Sequence, residues 1–186
     1  VDEEDFYIAD EVIDQILALD KECGPLDIVV GKGAHLGPGV RLNRRVQLGD
    51  RCELVGTVVL GEGVEIGPGT HLSAYPKQTM VLEPGVEVLA GSVLKGNLQI
   101  GTGSRIESGV IMTGSDEYPM QVGTDVTVKG TTYLYGCRID PGVMIEHCVI
   151  KCRHVQRRTR SDGSVQPLRY VIPQPEGLDS IGPLDG

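Results

Sequence analysis

The stretch LGDRCELVGTVVLGEGVEIGPGTHL, residues 48–72, repeats a six-residue unit. An aliphatic residue stands at Leu48, Leu54, Leu60, Ile66 and Leu72, and a small or β-branched residue follows each of the first four after four positions. Side chains of a strand alternate between its faces, so positions four apart point to the same side. Gly and Pro-Gly pairs turn the chain between the strands. A period of six with so much Gly excludes an α-helix over this stretch.

The same period extends in both directions. Further aliphatic positions are Val30, Leu36, Leu42, Leu82, Val88, Leu94, Ile100, Ile106, Met112, Val122, Val128, Leu134, Ile139 and Ile145, the last two after a slip of one residue. Three hexads make one triangular coil of about eighteen residues, and stacked coils bury a continuous column of aliphatic side chains. The repeat therefore predicts about six to seven coils.

This repeat resembles the hexapeptide-repeat transferase superfamily, whose unit is [LIV]-[GAED]-x2-[STAV]-x. The resemblance covers residues 28–150. It implies an all-β fold, the left-handed parallel β-helix, and the handedness comes from the resemblance alone. It also implies a homotrimer, because members of the superfamily usually pack flat faces around a threefold axis and build sites between subunits.

Three segments flank the repeat. Residues 1–27 form the predicted N-terminal cap, with a helix over 9–22 whose apolar face is Val12, Ile13, Ile16, Leu17 and Leu19. Such a helix would protect exposed strand edges, and a partner-binding helix is the alternative. Residues 151–172 predict a β-hairpin arm turning at Asp162-Gly163. Residues 173–186 predict a loose tail.

The predicted arm carries Arg157, Arg158, Arg160 and Arg169 in an otherwise acidic chain. These arginines could hold a phosphate or reach an acidic neighbouring subunit. The other interpretation is that they are solvated charges that discourage edge-to-edge aggregation.

Composition limits the classes of partner. The net charge is −9, which argues against nucleic acid and anionic membranes, and no run approaches a membrane span. Cys148 and Cys152, with His147 and His154 nearby, leave a zinc site as an alternative. The favoured interpretation is that Cys52 and Cys148, which fall at small interior positions of the repeat, are reduced core residues. Reduced cysteines and an acidic first segment indicate a cytoplasmic protein.

Two insertions interrupt the repeat, between Leu72 and Leu82 and between Met112 and Val122. Both contain Tyr-Pro, at Tyr75-Pro76 and Tyr118-Pro119. Counting hexads places the insertions on one side of the triangle, two coils apart. Loops carry function more often than cores do. We therefore predict substrate-binding roles for Tyr75 and Tyr118 in a groove between the loops, and packing against a neighbouring subunit is the alternative.

The segment of residues 106–139 resembles γ-class carbonic anhydrase, with Val126-Thr127, Leu134, Gly136-Cys137 and Ile139 in matching places. Upstream, Lys95 and Asn97 match that family's Arg and Asp, so both are candidate substrate-binding residues. Its three metal-binding His correspond here to Thr113, Gly130 and Tyr135. Because Thr, Gly and Tyr are poor zinc ligands, no metal is expected.

Within the superfamily, the favoured function is acyl transfer to a sugar or sugar nucleotide, with acetyl-CoA or CoA as cofactor. Such transferases use a His as general base. His35 and His71 precede inward aliphatic residues and should point outward, and His71 borders the first insertion, so it is the candidate base. Two alternatives remain open. One is a non-catalytic assembly or regulatory module of a sugar-1-phosphate nucleotidyltransferase, and the other is a carbonic-anhydrase-like scaffold without metal.

Overall fold

The computed structural model describes residues 7–169 and 175–185. One helix, α1 (Asp10–Cys23), and a 3-10 turn (Leu178–Ser180) accompany short strands. The strands are β1 (Tyr7–Ile8), β2 (Val29–Val30), β3 (His35–Leu36), β4 (Val40–Arg41), β5 (Gln47–Leu48), β6 (Glu53–Val55), β7 (Thr57–Leu60), β8 (Glu65–Ile66), β9 (His71–Ser73), β10 (Thr79–Leu82), β11 (Glu87–Val88), β12 (Val93–Gly96), β13 (Leu98–Ile100), β14 (Arg105–Ile106), β15 (Ile111–Gly114), β16 (Met120–Val122), β17 (Thr127–Lys129), β18 (Tyr133–Tyr135), β19 (Arg138–Ile139), β20 (Met144–Glu146), β21 (Val149–Lys151), β22 (His154–Val155), β23 (Leu168–Arg169) and β24 (Ile181–Gly182).

The strands form three sheets that the chain visits in turn. Sheet A has the order β1-β3-β6-β9-β12-β15-β18-β21, sheet B β2-β5-β8-β11-β14-β17-β20-β23, and sheet C β24-β22-β19-β16-β13-β10-β7-β4. Each coil contributes one strand to each sheet, and neighbouring coils pair in parallel. The fold is a left-handed parallel β-helix of about seven turns, as the repeat and its resemblance predicted.

The predicted aliphatic column fills the interior. In sheet A, the residues at matching positions on successive strands, here called rungs, are fully buried: Leu36, Leu54, Leu72, Leu94 and Met112. Three hydroxyl side chains also point inward and each donates to a backbone carbonyl: Thr70 to Leu89 at 3.1 Å, Ser92 to Glu107 at 2.9 Å and Ser104 to Gly123 at 2.8 Å. Because these polar groups are hydrogen-bonded, they interrupt the aliphatic column at little cost.

Helix α1 caps the first coil, as expected. Val12 is fully buried against the core. The Gln15 amide donates to the carbonyl of Leu42 at 2.9 Å and accepts from its N–H at 3.0 Å. These two bonds are the ones that a further strand would make. The predicted apolar face is only partly correct, because Ile13 and Leu17 are exposed.

Coil pairing continues beyond residue 150. β22 pairs in parallel with β19, and β23 with β20, so both extend the β-helix. Between them, an antiparallel bridge between Thr159 and Val165 closes the loop that turns at Asp162-Gly163. Farther on, β24 pairs antiparallel with β22. Residues 1–6 of the predicted cap, 170–172 of the arm, and 173, 174 and 186 of the tail lie outside the described residues.

Within residues 7–169 and 175–185, no helix has the length and apolar character needed to cross a bilayer.

Candidate active site

His71 lies on the outer face of sheet A, pointing outward as predicted. Its Nδ1 is 3.3 Å from Oε2 of Glu53, which stands on the preceding rung of the sheet. About half of each side chain is exposed. His35 occupies the rung on the other side of Glu53 and stacks on Tyr7, with ring centroids 4.6 Å apart. The regular spacing of parallel strands thus places a carboxylate between two imidazoles.

Lys95 lies close to His71 on the same face. Its strand pairs with β9 so that Val93 is opposite His71 and Lys95 is opposite Ser73. Adjacent strands are about 4.8 Å apart, and outward residues on one strand are about 6.6 Å apart. Lys95 is exposed, so its ammonium group can reach a ligand that lies over His71. The candidate base and the candidate Lys therefore share one surface.

The two insertions leave the same corner of the triangle, two coils apart, as predicted. β9 and β15 both belong to sheet A with β12 between them. The side chain of Gln78, from the first loop, donates to Asp116 of the second at 3.0 Å. Gln78 is buried and passes over Gly96, where an added Cβ would lie 3.2 Å from its Oε1. Its amide thus bridges the loops above the intervening coil.

Asn97 lies at the corner beneath this bridge. Its N–H donates to the carbonyl of Gly114 at 3.1 Å, and its carbonyl accepts from the N–H of Met120 at 3.0 Å. The backbone of Asn97 therefore anchors both ends of the second insertion. Asn97 therefore has a structural role, which is to hold the two ends of the second insertion through its backbone groups.

Tyr75 and Tyr118 have different surroundings. Tyr75 is exposed, four residues after His71. Tyr118 lies over Gly136, where an added Cβ would be 2.5 Å from the Tyr118 Cβ. It lines a cavity of about 350 Å³ with Gln121, Arg138 and Asp185. A hydrogen bond with the Glu117 carboxylate raises the pKa of the Tyr118 hydroxyl.

The positions that match metal-binding His in the carbonic anhydrase pattern do not assemble a ligand set. Thr113 and Tyr135 are adjacent on sheet A. At Gly130, an added Cβ would lie 2.3–2.9 Å from the His147 ring, which fills that space. In the part of the chain that the structure describes, no three His, Cys, Asp or Glu residues are grouped to hold a metal ion. These residues therefore do not fit the metal that the resemblance implies.

The cysteines behave mainly as interior residues. Cys52, Cys137 and Cys148 are buried, which agrees with the interior interpretation of Cys52 and Cys148. Burial raises the pKa of the Cys52 thiol to about 11. The Cys148 thiol donates to the carbonyl of Glu146 at 3.2 Å.

The predicted basic arm is partly neutralised within the chain. Glu176 forms ion pairs with Arg160 and Arg169, and Arg169 also lies 3.8 Å from Glu146. Arg160 and Arg169 therefore have their carboxylate partners within the chain itself.

Sequence reasoning missed a second polar cluster, on sheet C. His154, 7 % exposed, contacts Asp140 through Nε2 at 2.7 Å and Arg138 through Nδ1 at 3.2 Å. The missed signal is a change of period from six to five: Ile145, Ile150 and Val155 continue the inward column, which places His154 next to it on a strand.

No protein-family model and no curated protein matches the chain. Among solved structures, a UDP-N-acetylglucosamine acyltransferase is similar at 17% identity and a TM-score of 0.38, over 67% of this chain and 64% of that one. The enzyme of that name from Campylobacter jejuni is 12% identical, with a TM-score of 0.36 over 75% and 62%. The one from Francisella novicida is 13% identical, with a TM-score of 0.34 over 75% and 60%. The chain spans less than two thirds of the length of these proteins.

Proposed function

We propose that this chain is a hexapeptide-repeat acyltransferase that moves an acyl group from acyl-CoA to a hydroxyl or amino group of a sugar or sugar nucleotide. The observation that carries the proposal is the Glu53–His71 pair on the outer face of sheet A, with 3.3 Å between Nδ1 and Oε2. A carboxylate beside one ring nitrogen favours the proton there and leaves the other nitrogen as a base.

In the proposed reaction, Nε2 of His71 takes the proton from the acceptor hydroxyl or amine as its oxygen or nitrogen attacks the thioester carbonyl. The carbon–sulfur bond then breaks, and the CoA thiolate takes the proton from His71. Atoms and charge balance: an ester or amide and a free thiol replace the thioester and the acceptor O–H or N–H. The Glu53 carboxylate stabilises the imidazolium formed between the two steps.

Lys95, Tyr75, Tyr118 and Asn97 are the proposed substrate-binding residues. Lys95 is the best supported, because its rung is next to that of His71. Its ammonium group would pair with the phosphates of CoA or of a sugar nucleotide. Tyr75 lies two residues after the end of β9 and has an exposed ring.

We also propose that the protein is a homotrimer that associates through sheet A. Beyond His71, the same outward column continues as Val93, Ile111, Tyr133 and Val149. Ile111, Tyr133 and Val149 are 39%, 37% and 80% exposed. Monomers rarely leave so continuous an apolar stripe in water. A second copy on this face would cover the stripe and shield His71 from solvent.

The test measures release of the CoA thiol from acetyl-CoA in the presence of a panel of sugars and sugar nucleotides. We expect acetyl-CoA to raise the melting temperature and His71→Ala to lower turnover about 100-fold or more, the usual contribution of a general base. Glu53→Gln should reduce turnover less. His35→Ala is the matched control, because it lies on the same column without bordering the insertion, and should retain activity.

Two results would reject this function. If neither acetyl-CoA nor CoA shifts the melting temperature, or if His71→Ala leaves thiol release unchanged, acyl transfer at His71 is wrong. A protein that self-associates through sheet A without responding to acyl-CoA would instead be a non-catalytic assembly module.

A further inference from the structure

Sheet C carries a polar column on its outer face that the proposed acyl-transfer site does not use. Gln99, Gln121, Arg138 and His154 stand on consecutive rungs, each directly opposite the next. Gln99 and Gln121 are exposed, Arg138 is partly buried, and His154 is buried. Side chains in such a column lie about 4.8 Å apart, so the amides and the guanidinium line one continuous surface.

His154 fixes the guanidinium of Arg138. A guanidinium has donors only, so the 3.2 Å contact between Arg138 Nη2 and His154 Nδ1 makes Nδ1 the acceptor. The proton of the neutral ring is then on Nε2, which donates to Asp140 at 2.7 Å. The other carboxylate oxygen of Asp140 accepts the Arg157 N–H at 3.1 Å. Arg138 is therefore oriented by a buried ring that is itself held by a carboxylate.

Two cavities meet at Arg138. One, of about 290 Å³, is lined by Gln99, Gln121, Arg138 and Asp140 together with apolar strand residues. The other, of about 350 Å³, lies between the second insertion and the last described segment and also includes Gln121 and Arg138. Both volumes are near the lower end of the range for small-molecule pockets, about 300–1,000 Å³. The shared residues place the Arg138 donors between the two spaces.

A carboxylate of the chain itself already lies beside this guanidinium. Oδ2 of Asp185 is 3.9 Å from Arg138 Nη2, and the Asp185 side chain is 83% exposed. At that distance and exposure the ion pair is weak. Within the described residues, the Arg138 guanidinium donates a hydrogen bond to His154 alone. The other N–H groups of Arg138 can therefore still form the two parallel bonds that a carboxylate accepts.

We propose that the Arg138 cavities bind a small molecule through a carboxylate group, and that Asp185 occupies the place of this carboxylate when the ligand is absent. Arg138 receives the carboxylate, and the Gln121 amide lies on the next rung to bond the rest of the ligand. Binding requires Asp185 to move aside, and its exposed, weak ion pair allows that movement. Arg138 lies on a different sheet from His71, and although Tyr118 also lines the second cavity, the carboxylate site does not depend on the proposed acyl transfer.

The experiment titrates the full chain with sodium succinate at constant ionic strength and follows the Gln121 side-chain amide by NMR, together with the Arg138 side-chain N–H in the variants that keep Arg138. We expect a saturable shift in the wild type. Asp185→Asn should tighten succinate binding by about two- to fivefold, because an exposed ion pair no longer competes. Arg138→Gln should abolish saturation. Arg105→Gln removes one positive charge from sheet B and is the control that should bind like the wild type.

Several outcomes would overturn the site. One is a Gln121 amide shift that follows the same course in the wild type and in Arg138→Gln, whether it saturates in both or in neither. Another is unchanged affinity in Asp185→Asn. Tighter saturation by inorganic phosphate than by succinate would reject a carboxylate as the ligand group. If Arg138→Gln does not fold, Arg138→Lys keeps the charge without the planar fork, and succinate binding at wild-type strength would contradict the proposal.

Discussion

The side-chain amide of Gln78 donates to the carboxylate of Asp116 at 3.0 Å and ties together two loops that are 38 residues apart in sequence. Gln78 is buried, and its Oε1 has no hydrogen-bond partner among the described residues. The amide therefore already carries one unsatisfied atom, and Asp116 satisfies the other. The bond connects the first and third of three successive coils over the middle one.

Asp116→Ala should lower the free energy of unfolding by about 1–3 kcal/mol, because it leaves a buried amide donor without a partner. Chemical denaturation measures the change. The matched control is Asp14→Ala on the exposed side of α1, which should have little effect. Equal stability of the two variants would show that the bridge contributes nothing to folding.

Gly96→Ala should be considerably more destabilising than Gly91→Ala. Both residues have positive φ, +83° and +72°, so both substitutions incur the left-handed penalty of about 1–2 kcal/mol. An added Cβ at Gly91 meets nothing within 4 Å, whereas at Gly96 it would lie 2.0 Å from the Gly114 carbonyl oxygen. Thermal unfolding of both variants separates the clash from the backbone penalty. Similar melting temperatures would contradict the close approach of these coils.

Ile111→Asp should dissociate the proposed trimer, since it places a charge in the centre of the exposed apolar stripe on sheet A. Sedimentation would then give a mass about one third of the wild-type value. Val29→Asp introduces the same charge at an exposed position on sheet B and should leave the assembly intact. If Val29→Asp dissociates the assembly and Ile111→Asp does not, the subunits do not associate through sheet A and the proposed interface is wrong.

Asp140 should make stability depend on pH in the acid range. Burial alone would raise the pKa of its carboxyl group, but hydrogen bonds from His154 and from the Arg157 N–H outweigh this and lower it. A lowered pKa in the folded state means that the stabilisation is complete above the ordinary value of about 3.9 and is lost as pH falls through the folded-state pKa.

Asp140→Asn should therefore be less stable than the wild type near neutral pH, and the difference should shrink below about pH 4. Urea unfolding at several pH values tests this. The pH dependence of Asp140→Asn can be compared with that of Asp162→Asn. The pKa of the Asp162 carboxyl group is also lowered, by hydrogen bonds from Ser164, but this group lies in an exposed loop. A difference between Asp140→Asn and wild type that grows at low pH would reverse the assigned sign.

The interior was predictable because each coil repeats the same steric requirement. Leu94 and Met112 are buried where the six-residue count places them, and the insertions after Leu72 and Met112 leave the same corner. His71 was predicted to point outward from its place next to Leu72, and it does. These features depend on strand alternation, which is local and therefore visible in sequence.

Contacts between side chains of different coils were not predictable in the same way. Glu53 contacts His71 because the two residues are directly opposite each other on neighbouring strands. This contact cannot be predicted until the register between successive coils is known. Arg138 and His154 were missed because the repeat shortens to five residues near the end, so a strand was interpreted as part of an arm. The Gln78–Asp116 bond depends on loop conformation, which no periodicity specifies.

The amide of Gln15 has a consequence for assembly. It occupies the backbone groups of Leu42 at the first edge of sheet C, and at the last edge β24 runs antiparallel to β22. A coil added end to end must pair in parallel on all three sides of the triangle at once. Among the described residues, one side of the triangle is therefore blocked at both ends, which opposes such end-to-end stacking.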